Sequence, residues 1–264
     1  MSNDLKAYCL LYHSNHLHTM PRKYTLHVYV DETLTRTKPK SPSIDYEELV
    51  AREIQGHKEL TLYDLYKDMA DQHNRLYDDG INKFMDAGFD ILTPDNAIVC
   101  KEEDSTSSDN VGVPQQIKLM TGIRCRMVYR KILYTDLQDQ YGHPIDHPIF
   151  KSQPEYSREI PVAFTMHPRS STGSKTLLRL ANSTGIIDSG YRGELIGVFD
   201  SWDRNTTTSV AYSNKYAGNR LLQICAPSLV PFNVVVHQLS NNDDVDEFVK
   251  GTTRGSGGFG STGK

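Results

Sequence analysis

Short apolar and β-branched runs of strand length recur along this chain, and one long stretch departs from that pattern. Residues 5–12 (L-K-A-Y-C-L-L-Y) and 24–30 (Y-T-L-H-V-Y-V) are rich in aromatic and β-branched side chains, as half-buried strands are. Residues 117–131 alternate apolar with basic positions, which predicts a strand with one wet face. Short apolar runs at 161–166, 176–181, 195–199, 218–227 and 229–239 add further strands. Between residues 41 and 80 the period becomes helical. Tyr46, Leu49, Val50 and Ile54 share one face, and Leu62, Leu65, Tyr66, Met69, His73 and Leu76 keep the i, i+3, i+4 spacing. Thr61 with Asp64 reads as a capping box, and Gly80 as a stop. A helical pair is thus inserted into a β chain, packing its apolar face on the body or offering a surface to a protein partner.

Composition narrows the class. A net charge of −4 and a pI near 6.2 exclude a protein whose main task is coating nucleic acid or an anionic membrane, so any phosphate binding must be local. No apolar run reaches the ~18 to 20 residues of a membrane span, and the polar start M-S-N-D-L-K lacks a signal-peptide layout. An intracellular location, cytoplasmic or nuclear, is the expectation. Cys9, Cys100, Cys125 and Cys225 are widely spaced without a C-x-x-C pair, as structural thiols are. His13, His16 and His18 read as part of a solvated loop, and Pro144 and Pro148 prevent His143 and His147 from sharing one helical face. Residues 100–116 and 131–160 read as polar loops, the second as an insertion.

Five stretches carry candidate chemistry. Residues 182–194 (N-S-T-G-I-I-D-S-G-Y-R-G-E) lie between two strand-length runs and read as a hairpin, with glycines that let a flat ligand approach backbone groups and with Asp188 and Tyr191 beside the resulting pocket. Residues 86–92 (D-A-G-F-D-I-L) form a glycine-marked strand entry carrying Asp90. In 167–175 (H-P-R-S-S-T-G-S-K), a guanidinium, hydroxyls and free N–H groups supply what phosphate oxygens need. Residues 218–223 (G-N-R-L-L-Q) put Arg220 and Gln223 in an apolar setting, as satisfied core groups or ligand contacts. Residues 254–264 (R-G-S-G-G-F-G-S-T-G-K) form a glycine-rich tail able to nest an anion, with Phe259 available to stack on a base.

In this order the five stretches closely resemble the motifs of the homotrimeric all-β dUTP pyrophosphatase (dUTPase) family. The matching residues are A-G-F-D-I, P-R-S-S, N-S-T-G-I-I-D-S-G-Y-R-G-E, G-N-R-L-L-Q and R-G-S-G-G-F-G-S-T-G, running from Ala87 toward the C-terminus. The resemblance implies a single dUTPase-like domain over residues 1–264: a distorted jelly-roll β-barrel or sandwich with the helical insertion at 41–80, the loop insertion at 131–160 and a flexible glycine-rich arm at 250–264. It also implies hydrolysis of dUTP to dUMP and diphosphate, with Mg²⁺ as cofactor and sites shared between the subunits of a homotrimer.

The residue roles follow from the same resemblance. Asp188 would be the general base, and Asp90 the carboxylate that holds Mg²⁺ through water. Tyr191 would lie under the deoxyribose, while the backbone from Asn182 through Gly185 and Ile187 to Gly193 would read uracil. Arg169, Ser170, Ser171 and Gln223 would contact the phosphate chain from one subunit. From another subunit, Arg254, Gly260, Ser261 and Thr262 would close over the γ-phosphate with Phe259 stacked on the base. Ser171 and Thr172 stand where the family usually has Gly and Leu, and Asn219 where Asp is common. Two rivals remain: a dCTP deaminase of the same fold, with or without dUTPase activity, and a regulatory protein that uses the scaffold to bind a partner. Asp188 and Tyr191 in the I-D-x-x-Y-x-G pattern favour the hydrolase over the first. The complete catalytic set argues against a dead enzyme.

Overall fold

The structure is a computed structural model describing residues 24–32, 61–78, 86–100, 113–130 and 159–258. The strand at 5–12, the histidines at 13, 16, 18, 143 and 147, the first helix of the pair, Phe259, Gly260, Ser261 and Thr262 lie outside the described residues.

The period-two segments pair into two sheets, consistent with the β-rich, jelly-roll-like expectation. Among the described residues the larger has seven strands, with β1 (Tyr24–Asp31), β4 (Gln115–Arg130), β7 (Leu178–Leu180), β9 (Glu194–Ser201) and β11 (Asn233–Leu239) ordered β11-β1-β4-β9-β7. Two short strands, β3 (Ile98–Cys100) and β5 (Glu159–Val162), also pair with β4. The smaller sheet runs β2-β10-β6-β8, built from β2 (Gly88–Leu92), β6 (Phe164–Pro168), β8 (Gly185–Ile187) and β10 (Arg220–Cys225). Both sheets send alternate side chains into one apolar cluster, Leu26, Val28, Ile117, Leu119 and Phe199 from the first and Phe89, Ile91, Phe164, Met166 and Ile224 from the second. The register of β4 against β9 shifts between Met120 and Arg124, where Gly122 takes a φ of 73°. This bulge turns the Gly122 N–H toward the Glu194 carboxylate at 2.8 Å.

The second helix of the expected pair is α1 (Leu62–Asp78). Its capping box forms as read, the Thr61 N–H donating to the Asp64 carboxylate at 2.8 Å and the Asp64 N–H to the Thr61 hydroxyl at 3.1 Å. Leu65, Tyr66 and Ala70 are buried, and the Tyr66 hydroxyl accepts from Leu92 N–H at 3.0 Å. Asn74 acts on β11 as a neighbouring strand would, donating to Val234 C=O at 2.8 Å and accepting from its N–H at 3.0 Å. The helix therefore packs on the body and occupies backbone groups of β11.

Among the described residues three further α-helices form: α2 (Ser170–Lys175) within the expected phosphate motif, α3 (Ser209–Tyr216) in a stretch given no element, and α4 (Asn242–Lys250) over the acidic stretch. The α4 signal was present in the sequence: Asn241 caps it by accepting from Asp244 N–H at 2.8 Å, and Val245, Phe248 and Val249 keep helical spacing. Residues 182–194 also differ from the expected hairpin. Strands β7 and β9 do pair, Leu180 opposite Phe199, but between them β8 crosses to the smaller sheet and pairs with β6. The crossing requires a tight bend, which Ser183 makes at a φ of 57°.

Candidate active site

Strand register builds the first half of the site. Across β2, β10 and β6, Asp90 stands opposite Gln223 and Gln223 opposite His167, while the adjacent row is Phe89, Ile224 and Met166. Alternation turns the second row into the core and the first row outward. Asp90, Gln223 and His167 then line a hollow of about 630 Å³ together with Asp86, Gly88, Arg169 and Ser170. The glycine in D-A-G-F-D is needed here, because a Cβ at Gly88 would overlap the Gln223 carboxamide.

Two arginines hold the Asp90 carboxylate, Arg169 Nε at 2.7 Å from one oxygen and Arg220 Nη1 at 3.1 Å from the other. Burial pushes the Asp90 carboxyl above its ordinary range, and the Arg169 and Arg220 guanidiniums oppose that shift. Arg169 is set in place by its own backbone, whose N–H donates to Leu221 C=O at 3.0 Å. Buried Thr172 donates its hydroxyl to the same carbonyl at 2.7 Å, tying the start of α2 to β10.

The second half lies across β6. Met166, next to His167 on that strand, faces a separate hollow of about 210 Å³ lined also by Asn182, Gly185, Ile187, Asp188, Tyr191 and Arg254. A Cβ at Gly185 would sit 3.3 Å from the Met166 Cβ, so glycine keeps this hollow open. Tyr191 is fixed by its hydroxyl, which donates to Glu194 C=O at 2.8 Å, and burial raises its phenol above the ordinary value. A Cβ at Gly193 would overlap that hydroxyl. The loop is braced from behind by Arg124, which donates to Asp31 at 2.8 Å and to Arg192 C=O at 3.0 Å. Asp188 stays exposed, its side chain 57% accessible, with Arg254 Nη2 of the same chain 3.2 Å from its carboxylate.

The structure thus gathers Asp90, Arg169, Ser170 and Gln223 in one hollow and Asn182, Gly185, Ile187, Asp188, Tyr191 and Arg254 in the other. Ser171 and Gly193 line neither. His167 and Ser183 join the first hollow without having been singled out as site residues. The signal for His167 was its place two residues before Arg169 on an alternating strand. Arg220, open between core group and ligand contact, proves to be an ion-pair partner of Asp90.

Among the described residues no cluster of three or more His, Cys, Asp or Glu could by itself hold a metal ion. Asp90 and Asp86 do share the first hollow, and both Asp90 oxygens are engaged by arginine. Carboxylate oxygens are the hard donors that Mg²⁺ takes, directly or through water, and Asp90 would offer one once Arg169 leaves it. No helix among the described residues is long and apolar enough to cross a membrane.

No protein-family model matches the chain. Curated relatives do. A deoxyuridine 5'-triphosphate nucleotidohydrolase of Paraburkholderia phymatum is 40% identical over 97 residues, 37% of this chain and 55% of the relative. The enzyme of the same name from Acinetobacter baumannii is 39% identical over 109 residues, 41% of this chain and 63% of the relative. One from Mycolicibacterium gilvum is 30% identical over 98 residues, 37% of this chain and 58% of the relative. Over these lengths the chain is homologous to dUTPases. It spans 55 to 63% of the length of these dUTPase relatives.

Proposed function

We propose that the protein hydrolyses dUTP to dUMP and diphosphate. The observation that carries this reading is the sorting of the motif residues by chemistry, with cationic and amide groups around Asp90 in one hollow and a glycine-walled slot beside Asp188 and Tyr191 in the other. The first suits a triphosphate and the second a flat base and sugar. In this mechanism Asp188 takes a proton from a water molecule. The water oxygen bonds to the α-phosphorus, the bond from that phosphorus to the bridging oxygen breaks, and diphosphate leaves. Arg169 moves from Asp90 to the phosphate chain, where a guanidinium can make two parallel charge-assisted hydrogen bonds. Gln223 and Ser170 donate beside it. Asp90 would hold Mg²⁺ through water, and that ion supplies neutralisation of the triphosphate charge.

Selectivity would come from the slot. Tyr191 under the sugar leaves no room for a 2′-hydroxyl, and backbone groups from Gly185 onward read the uracil edge. A wrongly placed amino group on cytosine would leave buried polar atoms unpaired, which discriminates more strongly than a misfit methyl. That the two hollows share no lining residue supports a homotrimer in which one copy supplies the phosphate half and a neighbour the base half. Incubating the purified protein with dUTP, dCTP, dTTP and UTP tests the reading. Diphosphate from dUTP alone is expected. No diphosphate from dUTP, or a uracil nucleotide from dCTP, would overturn it.

A further inference from the structure

His167 stands on β6 opposite Gln223, in the outward row of the smaller sheet, and lines the Asp90 hollow with Arg169, Ser170 and Gln223. Among the described residues it is the one imidazole in that lining. Its Nε2 lies 2.9 Å from the Thr165 hydroxyl, while its Nδ1 lies 3.5 Å from the Thr184 hydroxyl, at the outer limit of a hydrogen bond. Thr165 in turn donates to Cys225 C=O at 3.4 Å. A hydroxyl has one proton to give, so with that proton on the carbonyl it accepts from His167 Nε2–H. The opposite tautomer would turn the Thr165 proton onto Nε2 and make one hydrogen bond fewer. The hydrogen-bond network thus assigns the neutral ring its proton on Nε2. A lone pair at Nδ1 is left facing Thr184, whose neighbour Ser183 lines the same hollow.

The hollow is short of positive charge for a polyphosphate. The carboxylates of Asp86 and Asp90 stand against the guanidiniums of Arg169 and Arg220. A triphosphate with its Mg²⁺ keeps an excess of negative charge, and drawing Arg169 away leaves Asp90 less compensated. The neighbouring elements offer no other group to make good the difference. On β10, Cys225 is a buried thiol pushed above its ordinary value by that burial. Residues 182–187 (N-S-T-G-I-I), on the side of Thr184, carry no ionisable side chain. Among the lining residues His167 is the neutral base able to gain a positive charge near physiological pH. The Thr165 and Thr184 hydroxyls both accept from a charged ring once their own protons rotate away.

We propose that His167 is a further phosphate-binding residue: its ring takes a proton from solvent as a triphosphate enters and donates from Nδ1 to a phosphate oxygen, releasing Thr184. Nε2–H stays on Thr165 throughout and holds the ring plane, so the new donor is aimed before the phosphate arrives. The proton ends on Nδ1, and no bond to phosphorus forms or breaks in this step. The assignment deepens the dUTPase reading and rests on it for the nucleotide alone, since the polyphosphate contact is testable without a nucleotide.

Inorganic tripolyphosphate with Mg²⁺, titrated calorimetrically into the full chain in buffers of different ionisation heat, supplies that test. Wild type should take up protons on binding, and its affinity should fall about tenfold as pH rises from about 6 to 8. His167→Asn keeps an amide donor near the Nδ1 position without the charge, so it should bind at an intermediate strength that varies less with pH. His167→Ala should bind most weakly. The difference in proton uptake between wild type and H167N removes the protons of the polyphosphate itself. Ring ¹⁵N spectra should show Nε2–H alone in the free protein near the upper end of that range and both nitrogens protonated in the complex, a change that a purely structural histidine would not undergo. Equal proton uptake and equal affinity in wild type and H167N, or no binding of tripolyphosphate, would overturn the proposal. Cleavage of dUTP is scored separately. Cleavage without histidine-linked proton uptake removes His167 alone, and histidine-linked uptake without cleavage removes the proposed function alone.

Discussion

The two hollows are built in different ways. Around Asp90, His167, Arg220 and Gln223 stand on strands and Arg169 and Ser170 at the start of a helix tied to one, and neighbouring arginines engage the carboxylate at both oxygens. Around Asp188 the groups stand on a loop and on a segment draped over it, and the carboxylate is more than half exposed. A rigid, charge-compensated cradle suits phosphates, whose positions must be fixed for in-line attack. A reactive base gains from an open position that only a closing segment completes. The comparison predicts that damage at the base half falls on turnover, and damage at the phosphate half on both binding and turnover.

The largest expected effect is Asp188→Asn, which should lower kcat by about 10²- to 10⁴-fold while leaving nucleotide affinity near the wild-type value, as read by calorimetric titration. A near-normal rate would remove Asp188 from the base role. Arg169→Ala should lower kcat/KM by roughly 10²-fold, with a raised KM, because it strips the phosphate chain of a donor and leaves Asp90 with one arginine. Gly88→Ala tests the same half through shape alone. Its methyl would displace the Gln223 carboxamide and should raise KM several-fold with little change in kcat, as read by steady-state kinetics. An unchanged KM would show that the row of Asp90, Gln223 and His167 does not touch substrate.

The smallest effect concerns pH and separates the halves through their supports. Beneath α4, burial together with the Arg126 charge and then His237 lowers His27 from 6.5 to about 4. His237 is lowered in the same direction by burial and Arg126. Tyr29 and Arg192 face the same cluster. For a histidine whose folded value is depressed, the unfolded chain binds the proton more readily, so stability from His27 is full above pH 6.5 and is lost as pH falls toward 4. Thermal scans across that window should show a falling Tm, and His27→Gln should flatten part of the slope. An unchanged slope would mean that this cluster does not sense protonation.

Much of this was legible in the sequence, for reasons that differ by residue. Alternation located β4, and aromatic, β-branched or apolar runs located β1 and β9, because one face of each is buried; alternation also turns Asp90 and Gln223 outward beside each other. Thr61 and Asp64 announced α1 through a local hydrogen-bond pattern that needs no tertiary partner. The crossing of β8 between sheets was not legible, because its neighbours β7 and β9 do pair and the detour depends on contacts with β6 far away in sequence. Helix α4 was hidden by its acidic residues, although Asn241 and Phe248 carried the cap and the spacing. The division of the motif residues between a phosphate half and a base half was legible only through the family resemblance. Its residues come from β2, β6, β10, the 182–194 stretch and Arg254, which meet only in the folded chain.

Hydrolysis of dUTP in H₂¹⁸O, with mass analysis of both products, tests the central claim most directly. Attack by an Asp188-activated water on the α-phosphorus puts the label in dUMP and none in diphosphate. Label in diphosphate, or no cleavage of dUTP, would contradict it.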